Sequence, residues 1–275
     1  MFFIAILIGI LEGLTEFVPV SSTGHMIIAG HMLGFTGPRA DAFEIFIQLG
    51  AILAVVGLFW KKFLRLIPGR VNNELRPQNG VVVTGFVGWR GLGLLILTTA
   101  PALLAGKIAH GFIKEHLFSP MTVAMGLALG GVGLILVEYF GPRAEKKEID
   151  SLDWKDALIV GLFQCLSLWP GMSRAGSTLI GGMLMKIDRK TAAEYSFLAA
   201  VPIMIAATGY DLLKSRQFLH QADAPLFAVG FFVSMVTAWF AIRFFMRFLA
   251  NHTLTGFGWY RLVLAAFTWW YFSGP

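Results

Sequence analysis

Residues 12–25 read EGLTEFVPVSSTGH, and they interrupt an apolar run that extends from residue 2 to residue 34. Pro, Gly and Ser break this run near its middle, leaving each half too short to cross a hydrocarbon core of roughly 30 Å. The same happens once more: LWPGMSRAGST, residues 168–178, breaks a second apolar region at 155–185. Backbone that leaves the helix at membrane depth is tolerated where protein surrounds it, so both regions read as re-entrant helix-loop-helix hairpins.

Around the hairpins the chain is apolar enough to make the setting plain. Of 275 residues, 56% are hydrophobic and 14% charged, with a mean hydropathy of +0.71. A soluble domain needs about 25% charged residues. Runs long enough to span occur at 42–60, 84–106, 120–140, 191–210, 224–246 and 257–273. The expectation is an all-α polytopic membrane protein, six transmembrane helices plus two hairpins, forming one domain over 1–275. The start, MFFIAILIGILEGLTEF, lacks a basic leading segment and a small-residue cleavage site, and reads as mature protein. A single cysteine, Cys165, excludes an internal disulfide, and no cysteine or histidine cluster suggests zinc or iron–sulfur chemistry.

The two hairpins superimpose in sequence at an offset of 152, which pairs Glu12 with Gln164, Phe17 with Trp169 and Ser21 with Ser173, while Glu44 and Glu194 correspond at an offset of 150. Each hairpin, 2–34 and 155–185, precedes three spans. An odd number of spans inverts the second copy, so residues 1–145 and 150–275 read as an inverted-topology repeat, with the functional site at the interrupted helices. Net charge is +6, but the basic residues sit in short loops, which points to membrane topology rather than nucleic acid. Segments 61–90, 143–155, 186–190 and 243–247 hold fifteen Lys and Arg, against five on the other side: Arg39, Lys107, Lys114, Lys214 and Arg216. The basic side is cytoplasmic by this count. Both termini and the opening of the first hairpin then face outward, and the hairpin tips meet inside the membrane.

Charged side chains inside apolar runs cost about 2.5–3.5 kcal/mol each on insertion scales, which makes them functional candidates by default. Glu12 and Glu16 lie four apart on one helix face, followed by Ser21, Ser22 and His25. Arg174 carries a fork that fits phosphate oxygens bidentately and is the leading single candidate. Gly171 and Gly176 would let backbone approach a ligand, and Ser173, Ser177 and Thr178 add hydroxyls at the start of a helix whose N–H groups favour an anion. Together these suggest a phosphate cradle, with Ser22, His25 or water as the attacking group. Glu12 and Glu16 also suit a divalent cation, magnesium or calcium. Glu44 and Glu194, near the starts of the following spans, read as supports accepting N–H bonds from the irregular loops, or as acids complementing helix dipoles. Arg261, beside Trp259 and Tyr260, reads as an interface anchor.

The segments EGLTEFVPVSSTGH and PGMSRAGST (170–178) resemble the two signatures of the bacterial undecaprenyl-diphosphate phosphatases, and the likeness extends over essentially the whole chain. What the resemblance implies is hydrolysis of undecaprenyl diphosphate to the monophosphate carrier lipid for peptidoglycan synthesis in the bacterial cytoplasmic (inner) membrane. It also implies divalent-cation dependence, and bacitracin resistance when the protein is abundant. Carried over by position, the acidic pair is Glu12 and Glu16, the hydroxyl Ser22, the histidine His25, and the clamp Ser173, Arg174 and Thr178. Ala175 departs from the pattern, which has a second serine there; Ser177 is the nearby substitute. The implied partners are the polyprenyl diphosphate and the bilayer, with no nucleic acid and with a homodimer left open. Two rivals remain. A polyprenyl-phosphate flippase or transporter would share the broken helices but has no need of Ser22 and His25 beside two carboxylates. Another lipid-phosphatase superfamily would need a histidine and an aspartate where Ile180 and Leu184 stand.

Overall fold

The computed structural model describes residues 1–69, 85–146, 148–215 and 221–274; of the basic residues counted above, Arg70, Arg76, Lys147 and Arg216 lie outside them. Eleven α-helices occur among the described residues: α1 Phe2–Thr15, α2 Ser22–Met32, α3 Pro38–Leu58, α4 Trp60–Arg65, α5 Gly88–His116, α6 Pro120–Phe140, α7 Trp154–Gln164, α8 Arg174–Leu184, α9 Arg189–Ser215, α10 Ala224–Phe248 and α11 Thr255–Ser273. Five are long and apolar enough to cross a membrane: α3, α5 over Gly88–Ala109, α6, α9 over Arg189–Lys214, and α10. The chain is an integral membrane protein. The sixth expected span is a helix too, α11, but its Trp, Tyr and Thr residues and Arg261 lower its hydropathy, and it is not among the five.

The four hairpin helices are short. α1 has 14 residues and α2, α7 and α8 have 11 each. At 1.5 Å per residue that is about 21 Å and about 16 Å, short of a bilayer's apolar thickness. Long helices enclose them: α1 lies along α10, α7 along α5, α3 against α9, and α6 against α11. The α1–α10 seam is close because Gly9 and Gly13 face the Gly230 and Ser234 carbonyls, where an added Cβ would come within 2.9 and 2.6 Å. Small residues four apart let helix backbones approach in this way. Phe17, at the first turn, packs edge-to-face on Phe197 of α9 with ring centroids 5.5 Å apart, joining the first hairpin to the buried core.

Polar ties hold the loops at one end. Asp150 accepts from the Phe86 N–H at 2.6 Å and from Arg65 at 3.0 Å. Lys146 reaches the fully buried Asp156 at 2.6 Å. Glu138 of α6 pairs with Arg189 and accepts the Leu254 N–H at 2.7 Å, fastening α6 to the starts of α9 and α11. Glu44 and Glu194 do not accept N–H bonds from the hairpin loops among the described residues. Glu194 pairs with Lys62 of α4, while a Cβ added at Gly30 of α2 would lie 3.7 Å from a Glu44 carboxylate oxygen. A long acidic side chain finds a lysine or a small-residue gap before it can reach back to a turn of its own hairpin.

Candidate active site

The first hairpin turns between α1 and α2, the second between α7 and α8, where a 3-10 turn over Cys165–Leu168 precedes Pro170. Both end on a strained serine. Ser21 has φ 71° and Ser173 φ 67°, in the left-handed region that costs a side chain other than glycine, and strain of this kind collects at functional sites. Their hydroxyls cap the helices that follow, accepting the N–H of Gly24 at 3.4 Å and of Gly176 at 3.1 Å.

The capped helix starts come together. Arg174, the first residue of α8, donates to Glu16 at 3.4 Å, and Glu16 accepts the Ser22 hydroxyl at 2.5 Å through its other oxygen. Glu16 continues α1 helically, its N–H bonded to the Glu12 carbonyl at 2.9 Å, so the two carboxylates sit one turn apart. Arg174 also donates to the Ser196 carbonyl and hydroxyl at 3.3 and 3.4 Å, and its guanidinium carbon lies 5.4 Å from the Phe17 ring centroid. Thr178 holds Ser196 at 2.6 Å and also contacts the Arg174 carbonyl at 2.9 Å. Arg174 is therefore steered by α1, α8 and α9 together.

Three buried polar atoms on α1 and α8 have no hydrogen-bond partner among the described residues: Glu12 Oε1, Arg174 Nε and Ser177 Oγ. Buried polar groups are normally satisfied, and exceptions mark where a ligand, ion or water completes the set. No group of three or more His, Cys, Asp and Glu side chains among the described residues is arranged to hold a metal ion. The donor chemistry nonetheless fits a hard cation, since magnesium takes one or two carboxylates and completes its shell with water and phosphate oxygens. Glu12 Oε1 is such a free carboxylate oxygen.

His25, one helical turn after Ser22, is not bonded to Ser22 or to the acidic pair. Its Nδ1 meets the Ser21 carbonyl at 2.7 Å and its Nε2 meets the Tyr260 hydroxyl at 2.7 Å. The two glycines expected to admit a ligand are also required by close packing within the protein. Gly171, at φ 96°, lies against α6, where a Cβ would fall 2.3 Å from the Val123 carbonyl; a Cβ at Gly176 would fall 2.9 Å from Arg261 Nη1.

Arg261 corrects the sequence reading most. It is fully buried rather than at an interface, and its guanidinium donates to the carbonyls of Pro19 (3.2 Å), Gly126 (3.2 Å), Leu127 (3.3 Å), Gly171 (2.8 Å) and Met172 (2.9 Å). One side chain thereby joins the first turn, the second turn and α6. Broken helices leave carbonyls without intrahelical donors, and a five-donor fork can serve several at once.

The chain matches the sequence model of the family described as bacitracin resistance protein BacA over residues 5–267. The chain belongs to that family. Similar relatives include an undecaprenyl-diphosphatase of Nitratidesulfovibrio vulgaris strain Hildenborough, 51% identical over 269 residues, covering 98% of this chain and 97% of the relative. The undecaprenyl-diphosphatase of Maridesulfovibrio salexigens is 53% identical over 263 residues, covering 96% of each, and that of Desulfovibrio desulfuricans is 47% identical over 267 residues, covering 97% of each. Within this BacA family chain, Ser196, Tyr260 and Arg261 are site neighbours that the sequence reading missed or placed elsewhere. Ser196 and Tyr260 carry no local signal, because the partners that give them meaning lie 18 to 235 residues away. Arg261, a lone arginine amid apolar residues, had the signal of intramembrane charge.

Proposed function

We propose that this protein is an integral membrane undecaprenyl-diphosphatase, hydrolysing undecaprenyl diphosphate to undecaprenyl phosphate and inorganic phosphate, and thereby recycling the carrier lipid and conferring bacitracin resistance. The observation that carries the reading to chemistry is the Ser22–Glu16–Arg174 chain: a hydroxyl 2.5 Å from a carboxylate that is itself 3.4 Å from a buried guanidinium.

Phosphoryl transfer depends mainly on positioning and on neutralising phosphate charge. In the mechanism favoured here, the diphosphate displaces part of Arg174's present bonding, and the fork and the Ser177 hydroxyl bind its oxygens. Ser22 Oγ attacks the terminal phosphorus as Glu16 takes its proton. The bond from that phosphorus to the bridging oxygen breaks, and undecaprenyl phosphate leaves. Water then attacks the phosphoserine, its proton passing to His25 Nε2; the bond from phosphorus to Ser22 Oγ breaks as the Glu16 carboxyl returns its proton to that oxygen, and inorganic phosphate and the Ser22 hydroxyl are regenerated. Attack by serine is favoured over attack by histidine because the Ser22 hydroxyl lies 2.5 Å from a carboxylate that can take its proton, whereas among the described residues the partners of His25 are the Ser21 carbonyl and the Tyr260 hydroxyl. Glu12 and Glu16 would hold a divalent cation, magnesium or calcium, which would add positive charge beside the phosphates.

The proposed setting is the bacterial inner membrane, six spans and two re-entrant hairpins in an inverted repeat of 1–145 and 150–275, with termini and site opening outward. Supporting it, Ser21 and Ser173 share an unusual backbone and the same cap, and α1 packs on α10 as α7 packs on α5. Purified protein given undecaprenyl diphosphate is expected to release phosphate, and a chelator is expected to suppress it. Absence of release from folded protein would overturn the activity; release indifferent to chelator would overturn only the cation.

A further inference from the structure

We infer that Tyr260 is a positioning residue for this reaction: with the Ser21 carbonyl it holds the His25 imidazole in the tautomer whose lone pair is on Nε2, which takes the proton when the Tyr260 O–H turns aside. The inference rests on the phosphatase reading. Nδ1 lies 2.7 Å from the Ser21 carbonyl, and a carbonyl can only accept, so Nδ1 carries hydrogen. In the neutral ring Nε2 is then the acceptor, and the hydrogen bond the described residues offer it is the Tyr260 O–H at 2.7 Å. The rings stack nearly parallel, 9° apart with centroids at 5.7 Å, so the imidazole is held in orientation as well as in tautomer.

A general base is effective when a third group orients it, and here two groups do, one on each nitrogen. Ser21 belongs to the strained turn beside the nucleophile, whereas Tyr260 arrives from α11, 235 residues away. Its neighbour Arg261 donates to carbonyls of both hairpin turns, so α11 supplies the clasp of the turns and the orientation of the histidine from consecutive residues. Tyr260 is 44% exposed, and removing its hydroxyl alone leaves the stacked ring and the core in place. The aromatic pair His31–Tyr271 lower on the same helices, at 3.2 Å and exposed, lies away from the site and serves as a control.

The test is Tyr260→Phe, assayed for phosphate release in wild-type and His25→Ala backgrounds, with Tyr271→Phe as control. Expected is a fall in kcat of about tenfold with KM changed by less than about twofold, no further loss when His25 is already alanine, and an unchanged Tm. Nitrogen-15 histidine spectra of the wild type, with His25 assigned by its disappearance in His25→Ala, should show hydrogen on Nδ1 and a hydrogen-bonded Nε2 whose resonance moves in Tyr260→Phe. An unaltered kcat, an equal loss in the His25→Ala background, or hydrogen on Nε2 of the neutral wild-type ring would each overturn the inference. The spectra do not depend on turnover, and wild-type protein that releases no phosphate while its spectra behave as expected would indict the phosphatase reading instead.

Discussion

Ser22, Glu16 and Arg174 form a short chain of hydrogen bonds in which each member sets the next, and substitutions should separate their roles. On the proposed mechanism Ser22→Ala removes the attacking oxygen, so turnover should fall to background while lipid binding persists; a single-turnover experiment with label on the terminal phosphate, quenched in acid, should find acid-stable, base-labile phosphoserine in the wild type. A robust Ser22→Ala rate with no trapped intermediate would move the attack to water. Arg174→Lys keeps the charge but loses the fork that serves Glu16 and Ser196 together and that, on the proposed mechanism, binds the substrate. A loss of roughly a hundredfold, about 2.7 kcal/mol of transition-state stabilisation, is expected from kcat/KM. Near-native turnover in folded Arg174→Lys would make the arginine structural.

At the scale of elements, the hairpins are held by Arg261 rather than by their own length. Two 11-residue helices and their partners cannot satisfy the carbonyls exposed where they break, and one guanidinium donates to three of them, Pro19, Gly171 and Met172, while also reaching the Gly126 and Leu127 carbonyls of α6. Arg261→Met fills similar space without donors and should destabilise by about 3 kcal/mol or more, since each buried carbonyl left unpaired costs about 1–3 kcal/mol. Gly130→Ala attacks the same clasp from α6, where the new methyl would stand 2.0 Å from Arg261 Nη2. Thermal unfolding in detergent reads both; an unshifted midpoint in Arg261→Met would show that the turns hold without it.

The loop ties make a pH prediction of definite sign. Burial works against the charge of Asp150, but the Phe86 N–H, Arg65 and Lys62 outweigh it and hold the carboxyl below its usual range. A lowered folded pKa means that its stabilisation is complete above the unfolded value, about 3.9, and is lost as pH falls through the folded one. Wild type should therefore unfold at higher temperature than Asp150→Asn near pH 7, and the gap should close on acidification below about pH 4. A gap that widens toward acid would reverse the assignment.

For the whole molecule, the basic segments predict sidedness. Thr36, exposed in the loop between α2 and α3, is the better probe site than its neighbour Gly37, whose φ of 96° suits only glycine. Thr36→Cys in a Cys165→Ala background should react with an impermeant thiol reagent added to intact cells. Labelling that requires permeabilised membranes would invert the proposed orientation and place the site opening on the cytoplasmic side.

Composition and the positions of Pro, Gly and Ser were sufficient, by themselves, for a helical membrane protein with two broken regions, because a bilayer admits few ways of satisfying backbone polar groups and a helix break leaves a local mark. Glu12, Glu16, Ser22 and Arg174 were legible for a related reason: polar side chains are rare and costly in apolar runs. What each of them touches was not legible. Tertiary structure alone decided that Glu16 bridges Ser22 to Arg174, that Ser196 and Thr178 steer the guanidinium, that His25 faces Tyr260, and that Gly176 makes room for Arg261. Hydrogen bonds between residues up to 242 positions apart depend on how the helices pack, and no local spacing along the chain encodes that packing.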